Sequence, residues 1–285
     1  MVPNKILFPT DFSVNADNCL PFIREIANRA GSELYLLHVF HHRMLNPSTP
    51  PSQFEEKARQ KQEDACAKLT TLSEELTRHH SVPVKNCKTE VRVGFPDDEI
   101  LEVINEQNID LVVMGTKGAT DLSRIILGST TSEVINDATC PVLAIPENAT
   151  FEGLSHLVFA TDLNAKDIPL IDYAAEFAKM FNAELTVLHI QEKETSSIAE
   201  KIETFKEKLQ NHVRYEKLRF HNLYFKGRVA GIDKFLKDNS AELLTMVTYK
   251  RNLFESLFKR SFTKRIAHQT RIPLLAFHEG HKPSR

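Results

Sequence analysis

A chain of 285 residues is long enough for about two domains of ordinary size, and its 41% hydrophobic and 26% charged residues are typical of globular proteins. A formal net charge of −2 argues against a general nucleic-acid-binding protein, and no apolar run reaches the roughly 18 residues needed to span a bilayer. The four scattered cysteines form no CxxC pair, and the N-terminus lacks the pattern of a signal peptide. We therefore expect a cytoplasmic protein without nucleic-acid or membrane partners.

Apolar runs alternate with amphipathic stretches through the first half of the chain. The short runs rich in Leu, Ile and Val predict buried parallel strands, and the stretches between them have a helical period. The predicted strands cover residues 5–10, 33–40, 88–94, 109–115 and 140–146. The predicted helices cover residues 13–31, 54–79, 97–107 and 132–138. This alternation predicts a Rossmann-like α/β fold, an open parallel five-stranded sheet with helices on both faces.

The same elements recur in the second half of the chain. KILFPTDFS (5–13) is repeated as HLVFATDLN (156–164), and SELYLLHVF is repeated as AELTVLHIQ. A repeat of this length is too long for a solenoid unit, so we interpret it as a tandem duplication of one domain. The Pro-, Asn- and Gly-containing stretch between the copies predicts a boundary that separates residues 1–148 from residues 149–285.

Glycines are concentrated between the fourth predicted strand and the last predicted helix of the first copy. Gly115, Gly118 and Gly128 lie there, in a chain with nine glycines, and Ser129 and Thr130 follow. Glycine permits the close approach of a ligand to the backbone, and N–H groups at a helix start bind anions. The pattern indicates a phosphate-binding loop, and its alternative is an ordinary loop with turn glycines and a capping serine.

The spacing of these glycines is similar to the ATP-binding signature G-x2-G-x9-G-[S/T] of the universal stress protein family. The first strand, ending in Pro9-Thr10-Asp11, and the segments LLHV and CPVLAIP also resemble that family. The chain thus resembles a tandem universal stress protein with the fold of the adenine nucleotide alpha hydrolases. The resemblance implies a domain that binds ATP, dimerises through its last strand and regulates stress responses.

The resemblance also implies which residues contact the nucleoside end of ATP. Asp11, beside Pro9 and Thr10, would contact the nucleoside, and the backbone of Val39 would contact the adenine. The residue types explain the phosphate end of such a site, whereas the choice of adenine comes from the resemblance alone.

The resemblance also implies which residues contact the phosphate end of ATP, where magnesium would bridge the phosphate oxygens. Met114 and Gly115 would flank the ribose and the phosphates. Lys117 and Arg124 lie inside the loop and either reach phosphates or are exposed loop cations. The phosphates themselves would be held by Gly118, Gly128, Ser129 and Thr130.

The second copy departs from the motif. The three motif glycines of the first copy correspond to Val247, Lys250 and Arg260 in the second copy. Only the motif serine is kept, as Ser261. Side chains at these positions would occupy space that phosphates need. We predict that the C-terminal domain, although it keeps Asp162, does not bind ATP in the manner of the family.

Three functions follow as hypotheses. The first is an ATP-binding regulator of the stress response, with the nucleotide in the N-terminal domain and a protein partner that is not identified. The second is a slow ATPase or phosphotransferase, which needs a positioned base, and Asp11 is the local candidate although the resemblance places it at the nucleoside. The third is an interaction scaffold without nucleotide. The pattern favours a binding protein over an enzyme, with no catalytic residues and no protein ligands to a metal. We also expect the two copies to pack together as an internal pseudo-dimer, from which a homodimer could form.

Overall fold

The computed structural model describes residues 2–40, 51–78, 86–116, 128–193, 195–248 and 272–278, with side chains in the second range from residue 56 onward. The chain divides into two compact units, and the division falls between Glu147 and Asn148. Each unit is an α/β structure whose described strands are parallel. In the described ranges, no helix combines the length and the apolar character that crossing a membrane requires.

The first unit contains five parallel strands in the order β3-β2-β1-β4-β5. These strands are β1 (Lys5–Pro9), β2 (Glu33–Phe40), β3 (Cys87–Val93), β4 (Leu111–Gly115) and β5 (Val142–Ile145). Its helices are α1 (Val14–Asp17), α2 (Leu20–Ala30), α3 (Pro51–Arg78), α4 (Pro96–Gln107) and α5 (Ser129–Asp137). The strand order reverses between β1 and β4, and sheets of this kind bind ligands beyond the carboxyl ends of the strands at that point.

The second unit repeats this arrangement, with the strand order β8-β7-β6-β9-β10. Its strands are β6 (His156–Ala160), β7 (Glu184–Gln191), β8 (Leu218–Tyr224), β9 (Leu243–Thr248) and β10 (Leu274–His278). The described part of this unit contains the helices α6 (Ile168–Phe181), α7 (Ser196–His212) and α8 (Arg228–Asp238), and a 3-10 turn covers Ala165–Asp167. The predicted fold, two tandem open parallel five-stranded sheets with helices, is confirmed.

The first helical stretch differs from the prediction of one helix over residues 13–31. It forms two helices, α1 and α2, because Pro21 lies in the first turn of α2 and a proline there cannot continue a helix from Asp17. Ser13 caps α1, since its hydroxyl accepts a 3.3 Å hydrogen bond from the N–H of Ala16. Gly31 ends α2 in the left-handed conformation, with φ of 65°.

The core of each unit lies on the central strands of its sheet. Ile6 and Leu7 of β1 have no exposed surface, and neither do Leu157 and Val158 of β6. Continuous burial along a strand is expected where a parallel sheet is covered on both sides, and it explains the unbroken apolar runs in the sequence. The strand ends that carry polar residues are thereby held in place by a buried apolar sheet.

Candidate functional site

A tight turn follows β1 at the carboxyl edge of the first sheet. The backbone N–H of Thr10 donates to the carbonyl of Leu37 at 2.8 Å, which extends the pairing with β2 by one residue. The hydroxyl of Thr10 accepts a 3.0 Å hydrogen bond from the N–H of Phe12, whose φ of 58° is left-handed. The turn leaves Asp11 exposed, where its carboxylate accepts a 3.0 Å bond from the N–H of Ser13. The sequence Thr-Asp therefore forms a carboxylate-bearing corner at the end of β1.

A histidine supports this corner in each unit. His38 Nδ1 lies 2.8 Å from the carbonyl oxygen of Thr10, and His189 Nδ1 lies 2.9 Å from that of Thr161. Because a carbonyl oxygen can only accept, Nδ1 carries the proton in both rings. Burial lowers the pKa of His189, which favours the neutral ring. Each ring therefore holds a backbone carbonyl in place, which is a packing role.

Two hydrogen bonds join the end of β4 to the start of α5, and a third joins the end of β4 to the end of β5. Thr131 Oγ1 donates to the carbonyl of Gly115 at 2.9 Å. The N–H of Thr116 donates to the carbonyl of Ile145 at 3.0 Å, and its own carbonyl accepts from the N–H of Gly128 at 2.5 Å. The two motif glycines at the ends of the loop are therefore brought to the same edge of the sheet.

The N-terminus of α5 has the character of an anion-binding end. Gly128 precedes the helix with φ of −56° and ψ of 154°. Because glycine has no side chain, no side-chain group caps the helix. The first N–H groups of a helix have no intrahelical partner, and the dipole places a partial positive charge there. The first turn of α5 contains no acidic residue, whereas the first turn of α4 contains Asp97, Asp98 and Glu99. Ser129, which is exposed, and Thr130 are the first two residues of α5, and both have hydroxyl side chains.

The predicted site residues that the structure describes lie at strand ends and at this helix start. Pro9, Thr10 and Asp11 follow one another at the end of β1, and Met114 and Gly115 end the neighbouring strand β4. Val39 is the penultimate residue of β2 and is paired with Arg92 of β3. Of the loop between β4 and α5, Gly118, Lys117 and Arg124 lie outside the described residues, as do Lys250, Arg260 and Ser261 of the second copy.

The corresponding edge of the second unit holds an ion pair that the sequence analysis missed. Arg228 Nη1 lies 3.0 Å from each carboxylate oxygen of Asp162, and Lys201 Nζ donates to the Asp162 carbonyl at 3.0 Å. Val247, at the position of Gly115, is buried and lines a cleft together with this pair. Arg228 and Asp162 are distant in sequence, so spacing within a motif carries no signal for their contact.

The sequence analysis predicted no side chains that bind a metal ion directly. Within residues 2–40, 51–78, 86–116, 128–193, 195–248 and 272–278, no three His, Cys, Asp or Glu side chains are grouped so that they could hold a metal ion.

The fold and the reversal of strand order define a doubly wound α/β protein with two successive units, a class in which ligands bind at the carboxyl edge of the sheet. The chain belongs to the universal stress protein family, whose model matches residues 3–146 and again residues 153–278. The predicted family, in its tandem two-domain form, is confirmed.

One curated relative and two solved structures illustrate what the chain is similar to. A universal stress protein of Methanocaldococcus jannaschii is 32% identical over 157 residues, which cover 50% of this chain and 93% of the relative. The solved structure of a universal stress protein from Archaeoglobus fulgidus covers 97% of this chain and 99% of that chain, at 18% identity and a TM-score of 0.72. A family member from Arabidopsis thaliana, solved with AMP bound, covers 52% of this chain and 94% of that chain at 19% identity and a TM-score of 0.37.

Proposed function

We propose that this protein is an ATP-binding regulator of the stress response, with the nucleotide held by the first unit and Mg²⁺ bound through its phosphates. The observation that carries the proposal is the junction of β4 and α5, where the bond from Thr131 to Gly115 holds an uncapped helix start at the carboxyl edge of the sheet. Membership of the universal stress protein family supports the choice of an adenine nucleotide.

The phosphate end of the ligand fits the start of α5. Phosphates need several N–H donors and a positive potential, and the first turn of a helix supplies both. Gly128 brings no side chain to this point, and Ser129 and Thr130 add hydroxyl donors. With no acid in the first turn, nothing in that turn repels a phosphate. We include Gly118 among the proposed phosphate contacts because of its place in the motif.

The nucleoside end fits the corner after β1. Asp11 exposes a carboxylate there, and ribose hydroxyls are donors that a carboxylate can accept. Met114 is buried beside this corner at the end of β4, so the site has an apolar floor. The backbone of Val39 and the residues Pro9 and Thr10 complete the proposed nucleoside contacts.

A binding role is favoured over hydrolysis because of where the local carboxylate lies. Hydrolysis needs a group that positions water at the terminal phosphate. Asp11 follows β1, and its Oδ1 already accepts the N–H of Ser13. In the proposed orientation this carboxylate faces the ribose. The cytoplasmic location, the protein partner and the pseudo-dimer stay predictions that belong to this proposal.

The proposal is tested by calorimetry with Mg-ATP on the wild type and on Gly128→Arg. This substitution copies into the first unit the arginine that the second copy has at the corresponding position, and it fills the space of the phosphates. We expect one site per chain in the wild type and none in the variant. Thr150→Arg adds the same charge at an exposed position of the second unit and leaves binding unchanged.

The other outcomes separate the alternatives. Two sites per chain would contradict the prediction that the second unit does not bind ATP. No binding to the wild type would contradict the proposal and favour the interaction scaffold. Release of inorganic phosphate that is present in the wild type and absent in Gly128→Arg would favour the slow ATPase.

A further inference from the structure

The corner after β1 contains a bulky residue in a backbone conformation that bulky residues rarely adopt. Phe12 has φ of 58°, in the left-handed region, where the Cβ atom of an L-residue crowds the following carbonyl oxygen. Such a conformation persists where surrounding contacts enforce it, and residues of this kind cluster at ligand sites. Asp11, the proposed ribose contact, directly precedes Phe12. The contacts that keep Phe12 left-handed therefore bear on the proposed site.

The conformation of Phe12 decides how the Asp11 carboxylate is held. The N–H of Ser13 donates to Asp11 Oδ1 at 3.0 Å, and this hydrogen bond spans Phe12. Rotation about the backbone of Phe12 would move that N–H away from the carboxylate. A carboxylate has about four acceptor sites, so Asp11 can accept from Ser13 and from the hydroxyls of a ligand at the same time. The left-handed turn thus orients the carboxylate without using up its capacity.

Side chains from two other elements contact the ring of Phe12. The His38 ring of β2 lies 4.6 Å from it, measured between centroids, at an interplanar angle of 31°. Lys68 Nζ of α3 lies 5.2 Å from the centroid of the Phe12 ring, within the range of a cation–π contact. His38 is itself fixed, because its Nδ1 bonds to the Thr10 carbonyl and the Phe40 ring lies 6.5 Å from it. The ring of Phe12 is thus anchored to both β2 and α3.

The second unit supports its corresponding corner in another way. Leu163 is left-handed as well, with φ of 60°, but it is 4% exposed and is held by burial in the core. Phe12 is only partly buried, so its ring contacts have the larger share in holding the turn. Gln191 stands at the place of Phe40. The aromatic contacts are therefore particular to the unit that carries the glycine motif.

We propose that Phe12 positions the nucleoside end of the site by aiming the Asp11 carboxylate at the ribose hydroxyls. The anchors of its ring are His38 and Lys68. The inference rests on the proposed function, because it takes the ribose of a bound nucleotide as the partner of Asp11. It makes recognition of the ribose depend on α3, a helix that supplies none of the proposed ligand contacts.

The test compares Mg-ATP with Mg-2′,3′-dideoxy-ATP, which lacks both ribose hydroxyls, by calorimetry on the full chain. The ribose ratio is the dissociation constant of the dideoxy nucleotide divided by that of ATP. We expect a ribose ratio of about tenfold in the wild type, the equivalent of one charge-assisted hydrogen bond. In Phe12→Ala and in Asp11→Asn we expect it to fall below about twofold. The dideoxy nucleotide still binds Phe12→Ala as it binds the wild type, because the start of α5 is unchanged, and this shows that the variant is folded.

Further variants separate positioning from packing. Phe12→Tyr keeps an aromatic ring and keeps the ribose ratio. Phe12→Gly keeps more of the ratio than Phe12→Ala, because glycine adopts the left-handed conformation without strain. Lost packing alone would give the opposite order, since glycine is the more flexible residue. Lys68→Gln lowers the ratio by about twofold, the size of an exposed cation–π contact, whereas Lys57→Gln, at an exposed position of the same helix, leaves it unchanged.

The results that would overturn this inference differ from those that would overturn the proposed function. A ribose ratio that stays at the wild-type value in Phe12→Ala would overturn the inference. An equal loss of affinity for both nucleotides in that variant would also overturn it, since Phe12 would then have a structural role alone. A ratio of one in the wild type would show that Asp11 does not recognise the ribose, and ATP binding itself would stand. Absence of Mg-ATP binding in the wild type would contradict the proposed function and this inference with it.

Discussion

The hydroxyl of Thr131 donates a 2.9 Å hydrogen bond to the carbonyl oxygen of Gly115, which fastens the first turn of α5 to the end of β4. Thr131 is 3% exposed, so water cannot replace this donor. The bond spans the glycine loop and fixes the distance between its two ends. Any ligand that contacts both ends depends on this bond, although Thr131 itself need not touch the ligand.

Replacing Thr131 with valine is expected to weaken Mg-ATP binding several-fold and to lower the free energy of unfolding. The part-buried carbonyl of Gly115 loses its donor, and a full loss of hydrogen bonding by a buried acceptor would cost about 1–3 kcal/mol. Thr131→Ser keeps the hydroxyl and retains most of the binding. Calorimetry and urea denaturation of the two variants check this, and equal behaviour of Thr131→Val and wild type would contradict it.

Replacing Asp110 with alanine is expected to loosen the N-terminal end of β1. Asp110 Oδ2 accepts the backbone N–H groups of Asn4 at 2.9 Å and Lys5 at 3.0 Å. Loss of this acceptor costs about 1–3 kcal/mol, because a charged group holds two donors. Hydrogen exchange of those two amides measures the change. Asp137→Ala removes an exposed carboxylate in the same unit and stays within about 0.5 kcal/mol of the wild type. Unchanged protection of both amides in Asp110→Ala would contradict the prediction.

Stability is expected to fall in mildly acidic solution because of His189. Burial lowers the pKa of this ring below its ordinary value of 6.5, so the unfolded chain takes up the proton first as the pH falls. The contribution of the neutral ring is complete above about pH 6.5 and is lost as the pH falls from 6.5 toward the lowered pKa. Urea denaturation between pH 8 and pH 5 measures this loss.

His189→Asn is expected to flatten that pH dependence, because the asparagine amide can still donate to the Thr161 carbonyl but does not titrate. His212→Asn changes an exposed histidine of the same unit and keeps the slope of the wild type. An identical slope in His189→Asn and wild type would assign the acid sensitivity to another group.

The cysteines are expected to differ strongly in reactivity. Cys66 is exposed, whereas Cys19 and Cys140 are buried. Burial raises the pKa of the Cys140 thiol to about 12, and burial likewise raises the pKa of Cys19. Because the thiolate is the nucleophile, we expect iodoacetamide at pH 8 to label Cys66 first. Peptide mass spectrometry over time measures this order, and labelling in denaturant, where all four cysteines react, is the control. Early labelling of Cys19 would contradict it.

Local patterns in the sequence were sufficient for most of the fold. Unbroken apolar runs predicted β1 and β2, and Ser13 and Gly31 lie at helix ends, where serine and glycine are common. The break between α1 and α2 was not predicted, although its signal is local, because Pro21 has no N–H to donate to the carbonyl of Asp17. Each of these features depends on neighbours a few residues away, and for that reason its signal lies in the local sequence.

The sequence by itself determined the duplication, the order of elements in each unit, the family and the residues that make the glycine motif, since these depend on local period and spacing. Only the tertiary structure decided which groups meet at the strand ends. The bond from Thr131 to Gly115, the pair of Arg228 and Asp162, and the bond from Thr161 to the buried Asp167 join residues on different elements. Such contacts arise because a parallel sheet brings the carboxyl ends of distant strands to one edge, and no spacing along the chain encodes that proximity.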